Sequence, residues 1–204
     1  RYADYLLLNN GAKLMRTDTK EVLFNHVIAP ETAKQLIEKC LKDNWQLHVT
    51  SGDYWAINKW NDGLQSYIEF LGTAPTRYAA LEDTPWQQVE GFMATADLKP
   101  ICRYIDEAKL PLAYTLSEDS CVDIMTENIS KWGGIQEMMA LLHISPEQVI
   151  AAGDYHNDLP MIRGAGIGVA VANALPEVKA EADYVTENDC DHDAVAEIVE
   201  QYMM

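Results

Sequence analysis

The sequence predicts an α/β fold in which an α/β core is interrupted by an α+β insert, and three observations carry that prediction. A short, continuously apolar run opens the chain and stops at turn residues. From residue 127 onward, helical and strand patterns alternate, the rhythm of a parallel sheet wound with helices. Between these, residues 17–126 mix helical stripes with hairpin signals, the texture of antiparallel pairing. The opening run has the character of the strands in the last third. The insert is therefore expected to interrupt one domain, with residues 1–16 and 127–204 as core and 17–126 as insert.

In chain order, Tyr5-Leu6-Leu7-Leu8, closed by Asn9-Asn10-Gly11, reads as a strand covered on both faces, as in a parallel sheet. Pro30 to Leu41 is a helix: Ala33, Leu36, Ile37 and Cys40 share one face, and Pro30 and Glu31 suit a first turn. Gln46 to Asn58 reads as two strands about the turn Ser51-Gly52-Asp53. Leu98 to Ala108 is a second helix with Leu98, Ile101, Cys102 and Ile105 on one side, and Cys121 to Met125 alternates like a strand with one wet face. Ile135, Met138, Met139 and Leu142 then form a helical stripe. Ser145-Pro146-Glu147-Gln148 supplies an N-cap, a proline at the first position and a capping-box partner. Val149 to Ala152 is an apolar strand running into Gly153-Asp154, and Leu159 to Arg163 a short helix ended by Gly164. Ile167 to Val171 and Tyr184 to Thr186 are further strands. Asp191 and Asp193 open a final helix whose Val195, Ile198, Val199 and Tyr202 share a face.

Composition bounds the function. With 204 residues, 48% hydrophobic and 23% charged, the chain can bury about 70% of its unfolded surface. It needs neither disulfide nor metal to fold, and a disordered, collagen-like or coiled-coil chain is excluded. Fifteen Lys and Arg against 32 Asp and Glu give a net charge of −17, which repels phosphate backbones and anionic bilayers and speaks against nucleic-acid and membrane partners. Residues 171–204 carry nine acids and one Lys, or −8, a solvated face. No apolar stretch is long enough to span a bilayer, and the start does not read as a signal peptide. Cys40, Cys102, Cys121 and Cys190 include no C-x-x-C pair; reduced thiols in a cytoplasmic protein are expected. The chain opens Arg1-Tyr2 rather than with Met, so its first residue is not expected to be the start of the gene product.

The chemistry concentrates at Gly153-Asp154-Tyr155-His156-Asn157-Asp158, just past a strand end, where open α/β sheets bind ligands. Two carboxylates and an amide so spaced can converge. Adjacent acids repel, and a hard divalent cation with oxygen ligands relieves them. The alternative is a turn in which Asn157 or Asp158 caps the following helix, and His156 reads as solvated. Lys131, after Ser130 and before Trp132-Gly133-Gly134, sits where a helix N-terminus favours acids. It suits an anion or nearby carboxylates; otherwise it is a surface lysine. Asn9-Asn10-Gly11-Ala12 is a turn or the rim of a site. In Ala165 to Ala174 the glycines allow close helix–strand packing and Asn173 ends a strand. The insert's Trp45, Tyr54, Trp55, Trp60, Tyr67, Tyr78 and Trp86 read first as the core of a small domain and second as stacking faces for a sugar.

In order, Asn10-Gly11-Ala12, the insert, Ser130-Lys131, G-D-x-x-N-D, A-G-x-G-V-A-x-x-N-A and A-D-Y-V-T resemble the haloacid dehalogenase superfamily. Within it, they are similar to the Cof-type, sugar-phosphatase-like branch, which carries an inserted cap. The match is densest from Ser130 to Thr186. The resemblance implies a Rossmann-like core with a cap, a Mg²⁺ site involving Asp154 and, directly or through its support, Asp158, and a Lys131 that neutralises the transferring phosphoryl group. It also implies that Asn157 contacts the phosphate and that Asn10 lies near the cleft. The implied reaction is attack by an aspartate on a phosphate monoester, then hydrolysis of the aspartyl-phosphate, with a small phosphorylated metabolite such as a sugar phosphate as substrate. The family takes its nucleophile from an Asp-x-Asp-x-Thr strand ahead of the Asn10 strand. The nearest sequence here, Asp189-Cys190-Asp191-His192-Asp193, lacks the Thr and leads into a helix. The chain alone is therefore expected to be inactive and the full-length protein to be a phosphatase. The alternatives are a non-catalytic module binding phosphorylated ligands or partners, and a sugar phosphomutase.

Overall fold

A computed structural model of the protein describes residues 3–61, 63–118 and 121–203. Arg1 and Tyr2, the opening of the chain noted above, lie outside the described residues. The chain forms two compact units, Arg1–Ile129 and Ser130–Met204.

The first unit opens with strands β1 (Tyr5–Leu8), β2 (Lys13–Arg16) and β3 (Val22–Asn25), joined in that order as an antiparallel sheet. This corrects the reading of Tyr5–Leu8 as a parallel strand covered on both faces: β1 pairs antiparallel with β2, and Leu6 is exposed. The reason is local. Asn9, Asn10 and Gly11 all take positive φ (52°, 52° and 98°), which turns the chain back at once, so the next segment becomes β1's neighbour. Residues 3–16 accordingly fall within the first unit.

Helix α1 (Pro30–Asp43) forms as its stripe predicts, burying Ala33, Leu36, Ile37 and Cys40. It ends at Asn44 in a left-handed conformation, whose N–H reaches the carbonyls of Cys40 and Leu41. There follow β4 (His48–Ser51), β5 (Tyr54–Ile57), α2 (Gly63–Leu71), β6 (Thr76–Arg77), β7 (Gly91–Ala94), α3 (Leu98–Glu107), β8 (Leu112–Glu118) and β9 (Cys121–Thr126). The strands make one sheet in the order β6-β5-β4-β7-β9-β8, antiparallel except for the β5–β6 pair. Because side chains alternate along a strand, the register sorts the two faces. Val49, Ala56, Phe92, Val122 and Ile124 join Leu36, Ile37, Ile101 and Ile105 of α1 and α3 in one buried cluster. His48, Thr50, Trp55, Met93 and Asp123 belong to the opposite face, where Thr50 faces Trp55 and Gly91, and Met93 faces His48 and Asp123.

The second unit contains α4 (Lys131–Leu142), β10 (Ile150–Gly153), α5 (Leu159–Gly164), β11 (Ile167–Ala170), α6 (Pro176–Glu181), β12 (Tyr184–Val185) and α7 (Ala194–Tyr202). Its three strands are parallel, in the order β10-β11-β12, as the alternating pattern predicts. Ile162 of α5 and Val178 of α6 bury against Ala170, Val171 and Ala174. Ahead of β10, only half of the expected capping box forms: Gln148 Oε1 accepts the Ser145 N–H at 3.0 Å, while the Ser145 side chain makes no cap bond and the Gln148 N–H goes to the Ser145 carbonyl instead. The four cysteines form no disulfide, and among the described residues no helix is long and apolar enough to cross a membrane.

Candidate functional site

The turn after β10 is organised by Asp158. Its side chain is only 3% exposed. One carboxylate oxygen, Oδ2, accepts the backbone N–H groups of Asp154 (2.9 Å) and Tyr155 (3.2 Å), and the other, Oδ1, accepts Lys131 Nζ at 2.5 Å. Both oxygens are thus engaged by donors of the chain itself. Gly153 makes this approach possible: a Cβ there would lie 2.4 Å from Asp158 Cβ and 2.6 Å from Oδ2, closer than real contacts permit. Asp158 stands at the N-cap position of α5 but makes no side-chain cap bond; it turns back to hold the loop instead. The turn anticipated in the sequence is real, and its holder is Asp158.

Lys131 is the first residue of α4, whose N-cap Ser130 accepts the Gly133 N–H at 3.0 Å. The lysine at a helix start is explained by the acids opposite it. Asp154 is exposed, while its carbonyl accepts the Leu175 N–H at 3.0 Å. Its carboxyl is held above the usual carboxylate range, first by burial and then by the charge and hydrogen bonding of Asp158, with Lys131 pulling the other way. Asn157 is half-buried in the same turn and His156 is exposed, as expected. Two carboxylates against one ammonium leave one uncompensated negative charge.

A divalent cation fits that excess. Asp154 can offer a carboxylate, whereas Asp158 has its oxygens committed. Among the described residues no three His, Cys, Asp or Glu side chains converge as a metal cage. Such a donor set suits Mg²⁺, which is held by one or two carboxylates and takes the rest of its shell from water and substrate oxygens.

Asn10 belongs to the first unit, where its Nδ2 donates to Asp123 Oδ2 at 3.0 Å. Both line a cleft of about 400 Å³ on the open sheet face, together with Thr50, Trp55, Tyr67 and Gly91. The rings of the insert divide. Tyr78 is core, with its hydroxyl donating to the Leu47 carbonyl at 3.0 Å, Trp60 is exposed, and Trp55 forms a wall of the cleft. Reading the sequence misses Asp123, although its signal is there: it is the one charge in the alternating run Cys121 to Met125. It also misses Glu90, which is nearly buried and accepts Lys13 Nζ (2.8 Å), Asn25 Nδ2 (2.8 Å) and Asn9 Nδ2 (3.4 Å). Burial raises the Glu90 carboxyl, but the bonds from Lys13 and Asn25 outweigh it and hold the group below its ordinary range.

The model of the haloacid dehalogenase-like hydrolase family matches residues 2–199 of this sequence. The chain belongs to that family. The YxeH protein of Bacillus subtilis (strain 168) is 27% identical over 196 residues, which cover 93% of this chain and 72% of the relative. The HMP-PP phosphatase of Cronobacter sakazakii is 24% identical over 210 residues, covering 98% of this chain and 74% of that protein. Among solved structures, a haloacid dehalogenase-like hydrolase from Bacteroides thetaiotaomicron superposes with a TM-score of 0.84 at 26% identity. That likeness covers 97% of this chain and 76% of the other. The motifs that resemble the family in sequence therefore lie on the family's fold, an α/β architecture that includes the parallel strands of the second unit.

Proposed function

We propose that the protein is a Mg²⁺-dependent phosphatase that hydrolyses a small phosphorylated metabolite, a sugar phosphate among them, through an aspartyl-phosphate. The observation that carries the reading is the Lys131–Asp158 pair at 2.5 Å beside an Asp154 whose charge nothing among the described residues fully offsets. Asp154 would hold the metal, and Asp158 would fix the loop that aims Asp154. When bound, Mg²⁺ supplies charge neutralisation for a phosphoryl group, which is most of what such chemistry asks of a protein. Lys131 would place its ammonium on the phosphoryl oxygens, Asn157 would donate to the phosphate, and Asn10 would lie along the substrate. Residues 1–16 and 127–204 are assigned to the catalytic core and 17–126 to a cap that selects substrate, in a cytoplasmic protein. The attacking carboxylate of such a reaction would belong to an Asp-x-Asp-x-Thr motif, a pattern the 204 residues do not contain.

The test is hydrolysis of a panel of phosphate esters by the full gene product with and without Mg²⁺. Metal-dependent phosphate release that falls by about 10²–10³ in Asp154→Ala supports the reading. Binding of the esters without any release would replace it with a phospho-ligand-binding module, and appearance of an isomeric sugar phosphate would replace it with a mutase.

A further inference from the structure

We infer that Lys179 is a positioning residue for Asp154: it closes the loop Val171 to Leu175 on itself, and that loop fixes the peptide from which the Asp154 carboxylate is offered. The role rests on the phosphatase reading for Asp154 as the metal ligand, and it adds a residue that lies in none of the motifs.

Asp154 is held at both of its backbone polar groups. Its N–H donates to Asp158 Oδ2 at 2.9 Å, and its carbonyl accepts the Leu175 N–H at 3.0 Å. Asp158 secures the first bond. The second is only as rigid as the loop that presents Leu175. That loop follows β11, and its Val171 N–H donates to the Gly153 carbonyl at 3.2 Å, so it grips two successive residues of the turn, Gly153 and Asp154. Within it, the Ala174 N–H turns back to the Val171 carbonyl at 2.9 Å.

Lys179 ties the two ends of the loop together. Its backbone N–H donates to the Leu175 carbonyl at 3.0 Å, and its side chain folds back so that Nζ donates to the Ala172 carbonyl at 2.5 Å. The side chain is half-buried, and among the described residues its ammonium pairs with no carboxylate. In a chain with 32 acids against 15 Lys and Arg, a lysine has many acids to meet, and a surface lysine otherwise keeps its head in water. Lys179 instead spends its charge on a neutral carbonyl, where a charge-assisted bond is about twice as strong as a neutral one. The loop is also anchored to the segment ahead of α7. The Ala172 N–H donates to the Asn188 carbonyl at 3.1 Å, and Asn173 Oδ1 accepts the Cys190 N–H at 3.2 Å. A loop fixed in this way resists when a cation draws on Asp154, which keeps the ligand in one geometry before and after binding.

The test is Mg²⁺ binding to the full gene product by titration calorimetry, with hydrogen exchange at the Leu175 amide, for the unmodified protein, Lys179→Met and Lys179→Arg. Removing a lysine makes the chain more negative, and by charge alone it would tighten cation binding. Positioning by Lys179 predicts the reverse. The Mg²⁺ dissociation constant should rise about tenfold or more in Lys179→Met, and Leu175 should exchange at least about tenfold faster. Lys179→Arg keeps a charged donor and should stay within about threefold of the unmodified protein in both. An unchanged or tighter constant in Lys179→Met overturns the proposal, even with faster exchange, because the lysine would then hold the loop without acting on Asp154. Unchanged exchange overturns it as well. If Lys179→Met does not fold, Lys179→Gln, a shorter and uncharged donor, is read by the same two measurements and must move both in the same direction. Mg²⁺ bound by the unmodified protein without phosphate release from any ester would overturn the phosphatase reading and leave the role of Lys179 standing. No Mg²⁺ bound by the unmodified protein overturns both.

Discussion

In the first unit Glu90 is saturated: Lys13 and two asparagines donate to it, and its carboxyl is depressed despite burial. In the second unit Asp158 is saturated in the same manner by Lys131 and two backbone N–H groups, but Asp154 stands beside it and its carboxyl is raised. Both regions hold a lysine–carboxylate pair on a turn or strand edge, and only one has an acid to spare. An acid whose charge the fold satisfies ties elements together. An acid whose charge the fold leaves over costs stability, and a cost kept in the turn past a strand end is what a group held ready for a ligand would show.

The sharpest way to break that contrast is Lys131→Met. It leaves Asp158 buried without its cation, and the second unit should lose about 3 kcal/mol in denaturant unfolding. An unchanged midpoint would mean that the pair holds nothing. Glu90→Gln should cost about 1.5–3 kcal/mol, read in the same way, because the charge that Lys13 and Asn25 address is gone. Gly153→Ala should cost about 1–3 kcal/mol, since the new methyl displaces the Asp158 side chain. The smallest effect has the opposite sign. Asp154→Asn should leave stability unchanged or raise it by up to about 0.5 kcal/mol at neutral pH, because it removes the surplus charge.

The two acids also set opposite pH trends. The depressed Glu90 contributes stability that is present above its unfolded pKa of about 4.3 and lost as pH falls through its lower folded value. The raised Asp154 works the other way. Its ionised form is disfavoured in the native state, so the penalty is full above its raised pKa and fades as pH falls toward about 4. Urea midpoints between pH 3 and pH 7 should therefore show an acid loss that Glu90→Gln shrinks. Asp154→Asn should leave that loss in place and remove the penalty above pH 4.

What could be read in the sequence follows the distance over which each interaction acts. The loop from Gly153 to Asp158 was legible because its partners are close in the chain: Asp158 meets Asp154 four residues away and Lys131 27 residues away. Asn10 and Asp123 are 113 residues apart, and Lys13 and Glu90 are 77 apart. No local pattern announces such pairs. The sequence marks β1 as a strand, but a four-residue apolar run does not name its neighbour; the positive φ values of the turn after it set that. Likewise, two acids in one motif do not declare which is ligand and which is support. That depends on where the N–H groups of the turn point, and only the folded loop decides it.

The central claim is that Asp154 carries a charge reserved for a cation. The direct measurement is the thermal midpoint of the full gene product with and without millimolar Mg²⁺, for the unmodified protein and for Asp154→Asn. A ligand that binds only the native state raises the midpoint, so the account predicts a rise of a few degrees in the unmodified protein and none in Asp154→Asn. Equal shifts in both, or no shift in the unmodified protein, would contradict it.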